Sequence, residues 1–199
     1  TLVLAYLDEL SKMFQFNSEQ EIMVYIQEKP NVNCIQDKQV TKDGVHILFG
    51  IQADRIQQSI LRDNIIKVAP DILNSLPLTN TMEDVFDKGI SEGYVNWQLF
   101  GSCKPDHGVY GLTHVYKFEY DPDDGEFIET KENHKKFDWA NNFNKLSVRY
   151  TGNASFFMRT DFITEYEKVK QDGGGKRSKM KRTVSKSVIE LRSISDITD

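Results

Sequence analysis

Thr41-Lys42-Asp43-Gly44-Val45-His46-Ile47-Leu48-Phe49 reads as a tight polar turn feeding an apolar strand. Asp43-Gly44 is a hairpin signal, because glycine accepts the positive φ that such turns need. Side chains of a strand alternate between its faces, so His46 and Leu48 point away from Val45, Ile47 and Phe49. A histidine at the mouth of a strand, just after a lysine and a glycine turn, has two readings. It meets a phosphate, or it is half-exposed and satisfied by a neighbouring strand.

Working outward, Thr1 to Phe16 has helical periodicity, with Leu4, Leu7, Met13 and Phe14 on one face and Asp8, Glu9 and Lys12 outward. The chain enters this helix without a capping residue, which suggests a piece whose true beginning lies upstream. Ser18 to Lys29 is strand-like, Ile22, Val24 and Ile26 alternating with Met23, Tyr25 and Gln27. Pro30 breaks it, and Val32 to Lys42 is polar and irregular. Beyond the opening stretch, Gln52 to Leu76 reads as a long helix. Its stripe is Ile56, Ile60, Ile65 or Ile66, and Val68. Pro70 starts a new turn or second helix, with Ile72, Leu73 and Leu76 inward.

Further on, Glu83 to Gly89 is short and mixed, and Tyr94 to Phe100 is aromatic and strand-like. Leu112 to Tyr120 alternates as a strand, and Asp121-Pro122-Asp123-Asp124-Gly125 turns it into Glu126 to Ile128 as a hairpin. That acidic turn lacks the glutamate closing a twelve-residue calcium loop, so it reads as a turn and not a metal site. Lys131 to Phe137 is a charged loop, Asp138 to Asn144 a short helix, and Thr160 to Lys170 helical. No repeat is apparent.

With 199 residues and 39% hydrophobic content, the chain suits one domain with a real core. It has no membrane-spanning apolar run and no secretory signal, so the expectation is a soluble intracellular protein without a membrane partner. Cys34 and Cys103 read as reduced, packed thiols. They and His107, His114 and His134 lack zinc-ligand spacing. The net charge is −5, yet residues 173–186 carry six basic side chains and no acidic one, so the body is more acidic than the total. Gly173-Gly174-Gly175 and Lys176, Arg177, Lys179, Lys181 and Arg182 read as a flexible linker or a phosphate-contacting tail. The Gly-Gly-Gly-Lys run lacks Walker spacing, and no Ser-His-Asp or Cys-His pairing can be assembled. Gly101-Ser102-Cys103-Lys104 pairs small residues with a lysine, an arrangement that admits an anion but also describes an ordinary turn.

Three stretches taken together carry a resemblance: Lys42 to Phe49, then Glu83 to Asp87 followed by Asn96 to Pro105, then Leu112 to Tyr116. In that order and spacing they resemble the archaeo-eukaryotic primase domain of the poxvirus-type primase–helicases of large nucleocytoplasmic DNA viruses, which is related to the primase-polymerases. The resemblance runs to about Lys170. It implies an α+β fold: residues 1–170 form an N-terminally incomplete primase-like domain, and 171–199 a Gly-rich basic linker. A mixed or antiparallel sheet would hold the His46, Asn96–Phe100 and Leu112–Tyr120 strands, with helices packed on it.

The resemblance also implies chemistry. Gly44-Val45-His46 is similar to the family's small-X-His motif, so His46 would contact the triphosphate of an incoming nucleotide, helped by Lys42. Asp87 matches the later acidic residue, a catalytic ligand of Mg2+ or Mn2+. Ser102 and Lys104 would touch the nucleotide. The family's Asp-X-Asp pair has no counterpart here, since Asp8-Glu9 is helical and wrongly spaced, and it should lie upstream of Thr1. The implied function is template-directed nucleotidyl transfer making primers for viral DNA replication, with this chain inactive alone. The implied partners are a DNA template, nucleoside triphosphates and a downstream ATP-binding, hydrolysing helicase domain through which oligomers form. The implied location is the host cytoplasm, in a replication factory, with virion packaging left open. Two alternatives stand beside this: a non-catalytic nucleic-acid-binding module that kept the fold, and a scaffold fragment in which His46 and Asp87 are ordinary packed residues.

Overall fold

The computed structural model describes residues 1–18, 20–93, 97–104 and 108–173. Its frame is a four-stranded antiparallel sheet in the order β4-β1-β5-β6, built from β1 (Glu21–Glu28), β4 (Val45–Phe49), β5 (Gly111–Asp121) and β6 (Glu126–Glu132). With its helices this is an α+β fold, as the resemblance implied. β1 and β5 occupy the centre, each hydrogen-bonded to a strand on either side.

One face takes the helices. Ile22, Val24 and Phe118 from the sheet meet Leu7, Leu10 and Met13 of α1 (Leu2–Met13) and Ile56 and Ile60 of α2 (Arg55–Ile72). Phe162 of α6 (Thr160–Gln171) closes the same cluster. α2 starts at a capping box: Asp54 accepts from the Gln57 backbone N–H at 2.9 Å, and the Gln57 side chain accepts from the Asp54 N–H at 2.8 Å. The Tyr166 hydroxyl donates to the same Asp54 carboxylate at 2.8 Å, tying α6 to the start of α2. The opposite face carries a second cluster of Tyr25, Leu48, Val115 and Leu146, with Trp97, Phe100, Leu112 and Phe137 packed against it.

Several sequence expectations are corrected. The Asp43-Gly44 turn does not close a hairpin. β3 (Val40–Lys42) pairs with β2 (Asn33–Ile35) in a separate two-stranded sheet, whereas β4 pairs with β1. Gly44 is not among the positive-φ glycines, which are Gly93, Gly101, Gly125 and Gly173 among the described residues. The β2–β3 ladder occupies the stretch expected to be irregular. Its strands are three residues long, too short for periodicity to register. α2 runs through Pro70 and stops at Ile72. A proline so near the helix end removes only one late hydrogen bond. Ile65 is the inward isoleucine, while Val68 and Leu76 are exposed. On α1 the buried stripe is Leu7, Leu10 and Met13. Leu4 is exposed, and Glu9 is buried, with its carboxylate on Lys12 Nζ at 2.8 Å.

Residues 97–100 form no strand; they lie as an irregular segment whose aromatic rings pack on the sheet. The β5–β6 hairpin is as expected, turning at Gly125 with φ +72°, but β6 continues to Glu132 into the expected charged loop. Cys34 and Cys103 are free and exposed, not packed. The basic residues Lys176, Arg177, Lys179, Lys181 and Arg182 lie outside the described residues. Among the described residues no helix is long and apolar enough to cross a membrane.

Candidate functional site

His46 is the second residue of β4 and lies directly opposite Gln27 of β1. Alternation puts both on the face away from α1 and α2. The imidazole stacks on Tyr110, ring centroids 3.8 Å apart and planes 15° apart, and tilts against Trp97 at 4.6 Å. The Lys29 ammonium lies 5.2 Å from the Tyr110 ring centroid, within cation–π range. The His46 pKa is pushed down to about 4, first by burial and then by the Lys29 charge. At neutral pH the imidazole is therefore uncharged. It offers a hydrogen bond to an anion, and the nearby positive charge is that of Lys29.

The turn explains its own glycine. A Cβ on Gly44 would lie 2.6 Å from the Tyr110 hydroxyl oxygen. Glycine stands before Val45-His46 because the Tyr110 ring occupies the space a side chain would need. Close approach, and not a left-handed backbone, sets the requirement. Tyr110 is itself buried, and burial together with Asp43 raises its pKa.

β1 delivers Gln27 by ordinary alternation, and the irregularity beside it is on β5. The β1–β5 register slips between Ile26 and Gln27, pairing Ile26 with His114 and Gln27 with Leu112. The extra residue, Thr113, donates from its hydroxyl to Ile26 O at 3.3 Å and to the Glu28 carboxylate. The bulge lies on β5, while β1 keeps its alternation through Gln27, which shares the phase of Met23 and Tyr25. Gln27 is completely buried. Beside this cluster a cavity of about 380 Å³ is lined by Trp97, Leu99, Leu146, Ser147, Val148 and Arg149. Trp97 is thus a wall shared by the His46 cluster and the cavity.

Asp87 is exposed and sits at the N-terminus of α4 (Lys88–Ser91), where its carboxylate accepts from the Gly89 N–H at 2.8 Å. The segment before it is held by a buried arginine. Arg62 of α2 donates to Phe86 O at 2.7 Å, to Glu83 O at 3.0 Å and to the Glu83 carboxylate at 2.7 Å. Lys42 is exposed at the end of β3, and Lys104 is exposed. The Ser102 hydroxyl donates to Leu99 O at 2.6 Å, making a local turn. Among the described residues, no hydrogen bond, ion pair or ring contact joins His46 to Asp87, Lys42, Ser102 or Lys104.

Sequence reasoning missed Gln27, Lys29, Tyr110 and Arg62. Gln27 carried a signal: Met23 and Tyr25 share its phase of the strand, so that phase faces a second packed layer, and a glutamine in line with them is a buried polar group. The family's divalent cation does not fit the described residues on their own. No group of three His, Cys, Asp or Glu side chains gathers among them, and Asp87 is already engaged as a cap.

A sheet with helices on one face and a half-buried histidine, an amide and aromatic rings on the other is the setting in which the comparisons fall. The family model described as "C962R protein N-terminal AEP domain" matches residues 1–116. The chain belongs to that family, the archaeo-eukaryotic primase-type domains of the primase–helicases of large DNA viruses, and so to a nucleotidyltransferase and primase group. The match takes in Gln27, Lys29, His46, Asp87, Trp97 and Tyr110 and ends within β5. The putative helicase L207/L206 of Acanthamoeba polyphaga mimivirus is 35% identical over 78 residues, which are 37% of this chain and 8% of that protein. The chain thus aligns with a small part of a much longer relative.

Proposed function

We propose that the chain is the nucleotide-holding part of a viral primase that, in the longer protein, joins nucleotides on a DNA template to make primers. The observation that carries this reading is the His46 site: a neutral imidazole stacked on Tyr110 beside the Lys29 charge, inside the matched family segment. His46 supplies a hydrogen-bond donor to the triphosphate. Lys29, with Lys42 at the end of β3 and Lys104, supplies the charge that steadies it. Ser102 offers a further polar contact. Asp87, which caps α4, would join a Mg2+ or Mn2+ site only together with carboxylates from elsewhere in the longer protein. Lys176, Arg177, Lys179, Lys181 and Arg182 contact nucleic-acid phosphates. A helicase part of the longer protein hydrolyses nucleoside triphosphate and carries oligomer assembly, in a cytoplasmic viral replication factory.

A second reading has its own support. The described residues gather no carboxylate set, which suits a nucleic-acid-binding module that kept the fold without the chemistry. Calorimetry with a nucleoside triphosphate and manganese separates the two, using this chain, its His46→Ala and Asp87→Ala variants, and an upstream-extended chain. The primase reading expects the extended chain to bind and incorporate nucleotide and both substitutions to abolish incorporation. Steeply salt-dependent DNA binding with no incorporation by the extended chain favours the binding module. No binding of either ligand leaves a scaffold.

A further inference from the structure

A buried polar atom without a hydrogen bond is costly, and folded proteins keep few of them. Among the described residues, the buried side-chain polar atoms without a partner are Nε2 and Oε1 of Gln27, Nδ1 of His46 and Nε1 of Trp97. They are not scattered. Gln27 faces His46 across the β1–β4 ladder, and the Trp97 ring lies against the imidazole. Directly opposed side chains on adjacent strands have Cβ atoms about 5 Å apart, so an amide there reaches an imidazole by rotation about its own side-chain bonds.

Their chemistry is complementary. An indole N–H only donates. A carboxamide has one accepting oxygen and one donating nitrogen. A neutral imidazole nitrogen accepts when its proton sits on the other ring nitrogen. One chain of two hydrogen bonds satisfies all four atoms: Trp97 Nε1–H to Gln27 Oε1, then Gln27 Nε2–H to His46 Nδ1. We propose that Gln27 is the positioning residue of His46, its carboxamide held by Trp97 and donating to Nδ1, so that the imidazole is fixed as its Nε2-protonated tautomer.

This deepens the proposed nucleotide role and rests on it for its purpose: Nε2–H becomes the donor offered to a phosphate oxygen. A carboxylate at position 27 would do the opposite. It would accept from Nδ1–H, select the other tautomer and make the ring more basic. The amide suits a histidine that donates while remaining uncharged, and the depressed His46 pKa agrees with that state.

The test is 15N NMR of the full chain, reading the ring nitrogens of His46 without nucleotide. The wild-type chain is expected to show the Nε2–H tautomer, dominant and unexchanging. Gln27→Leu removes both amide atoms and is expected to give a mixture of tautomers. Trp97→Phe keeps an aromatic ring but frees the amide to flip, and is expected to give a partial mixture. Gln27→Glu is expected to invert the tautomer and raise the His46 pKa. A dominant Nδ1–H tautomer in the wild-type chain, or spectra unchanged by Gln27→Leu and Trp97→Phe, overturns the proposal. In a separate arm, Gln27→Leu is expected to weaken nucleoside triphosphate binding about tenfold, the scale of a misdirected hydrogen bond to a charged group. Because the tautomer is read without ligand, a fixed tautomer with no nucleotide binding rejects the nucleotide role and leaves the Gln27–His46 link standing.

Discussion

The two faces of the central sheet share their strands and differ in almost everything else. On the helix side, Ile22, Val24 and Phe118 close against α1, α2 and α6 in an apolar cluster. On the other side, His46 meets the Trp97 and Tyr110 rings from loops, Gln27 faces it across the ladder, and the partnerless buried polar atoms of the described residues all gather there. A shape built only for stability would put apolar side chains in both places. The difference teaches that one face is given to apolar packing, while the other adds to its own apolar cluster a set of buried polar groups that serve one another and His46, as residues at a binding site do.

That contrast can be broken by substitution. The largest effect is expected from Phe118→Ala, which empties a fully buried site on the helix side and should cost about 4 kcal/mol in denaturant unfolding. Gln27→Leu, on the opposite face and equally buried, should cost about 2 kcal/mol, since it opens no cavity but leaves Trp97 Nε1 and His46 Nδ1 without the amide. Equal losses from the two would erase the distinction between the faces. Next comes Arg62→Ala, which strips the donors from the carbonyls of Glu83 and Phe86. A loss of about 3 kcal/mol is expected, with hydrogen exchange accelerated at residues 82–91. Arg62→Lys should rescue little, because an ammonium cannot reproduce the guanidinium fork. Gly44→Ala should cost about 1–2 kcal/mol by pushing on the Tyr110 ring, and His46 ring-proton shifts should move as the stack opens.

The subtlest expected effect is on pH dependence. Folded His46 stays neutral down to about pH 4, whereas in the unfolded chain it binds a proton near its ordinary value of 6.5. The unfolded state thus holds more protons between these values. This contribution to stability is complete above about pH 6.5 and is lost as pH falls towards 4. His46→Gln should flatten that part of the acid-unfolding profile. An unchanged profile would mean that His46 titrates normally and is not buried as described.

How much of this the sequence disclosed follows from the range of each signal. The β5–β6 hairpin was legible because Asp121 to Gly125 is a local turn between alternating strands. α2 and α6 were legible because their apolar spacing persists for several turns. Trp97 and Phe100 were misread as strand residues, since aromatic side chains favour strands and also favour packing onto a sheet from a loop. His46 was visible as a candidate from its motif. Its surroundings were not: Gln27 arrives across the β1–β4 strand pair, and Lys29 and Tyr110 come from other segments. Gly44 was singled out for the wrong reason. Its lack of a side chain matters because of Tyr110, far along the chain, and not because of its own backbone angles.

The central claim is that the face carrying His46 holds a nucleotide. Titration calorimetry of a non-hydrolysable nucleoside triphosphate against the full chain, with manganese and at pH 6, 7 and 8, tests it most directly. The account predicts binding that varies little across that range, because His46 is already neutral, and that weakens at least about tenfold in His46→Ala and in Lys29→Ala. Binding that is indifferent to both substitutions, or that strengthens sharply towards pH 6 as a charging histidine would require, would contradict it.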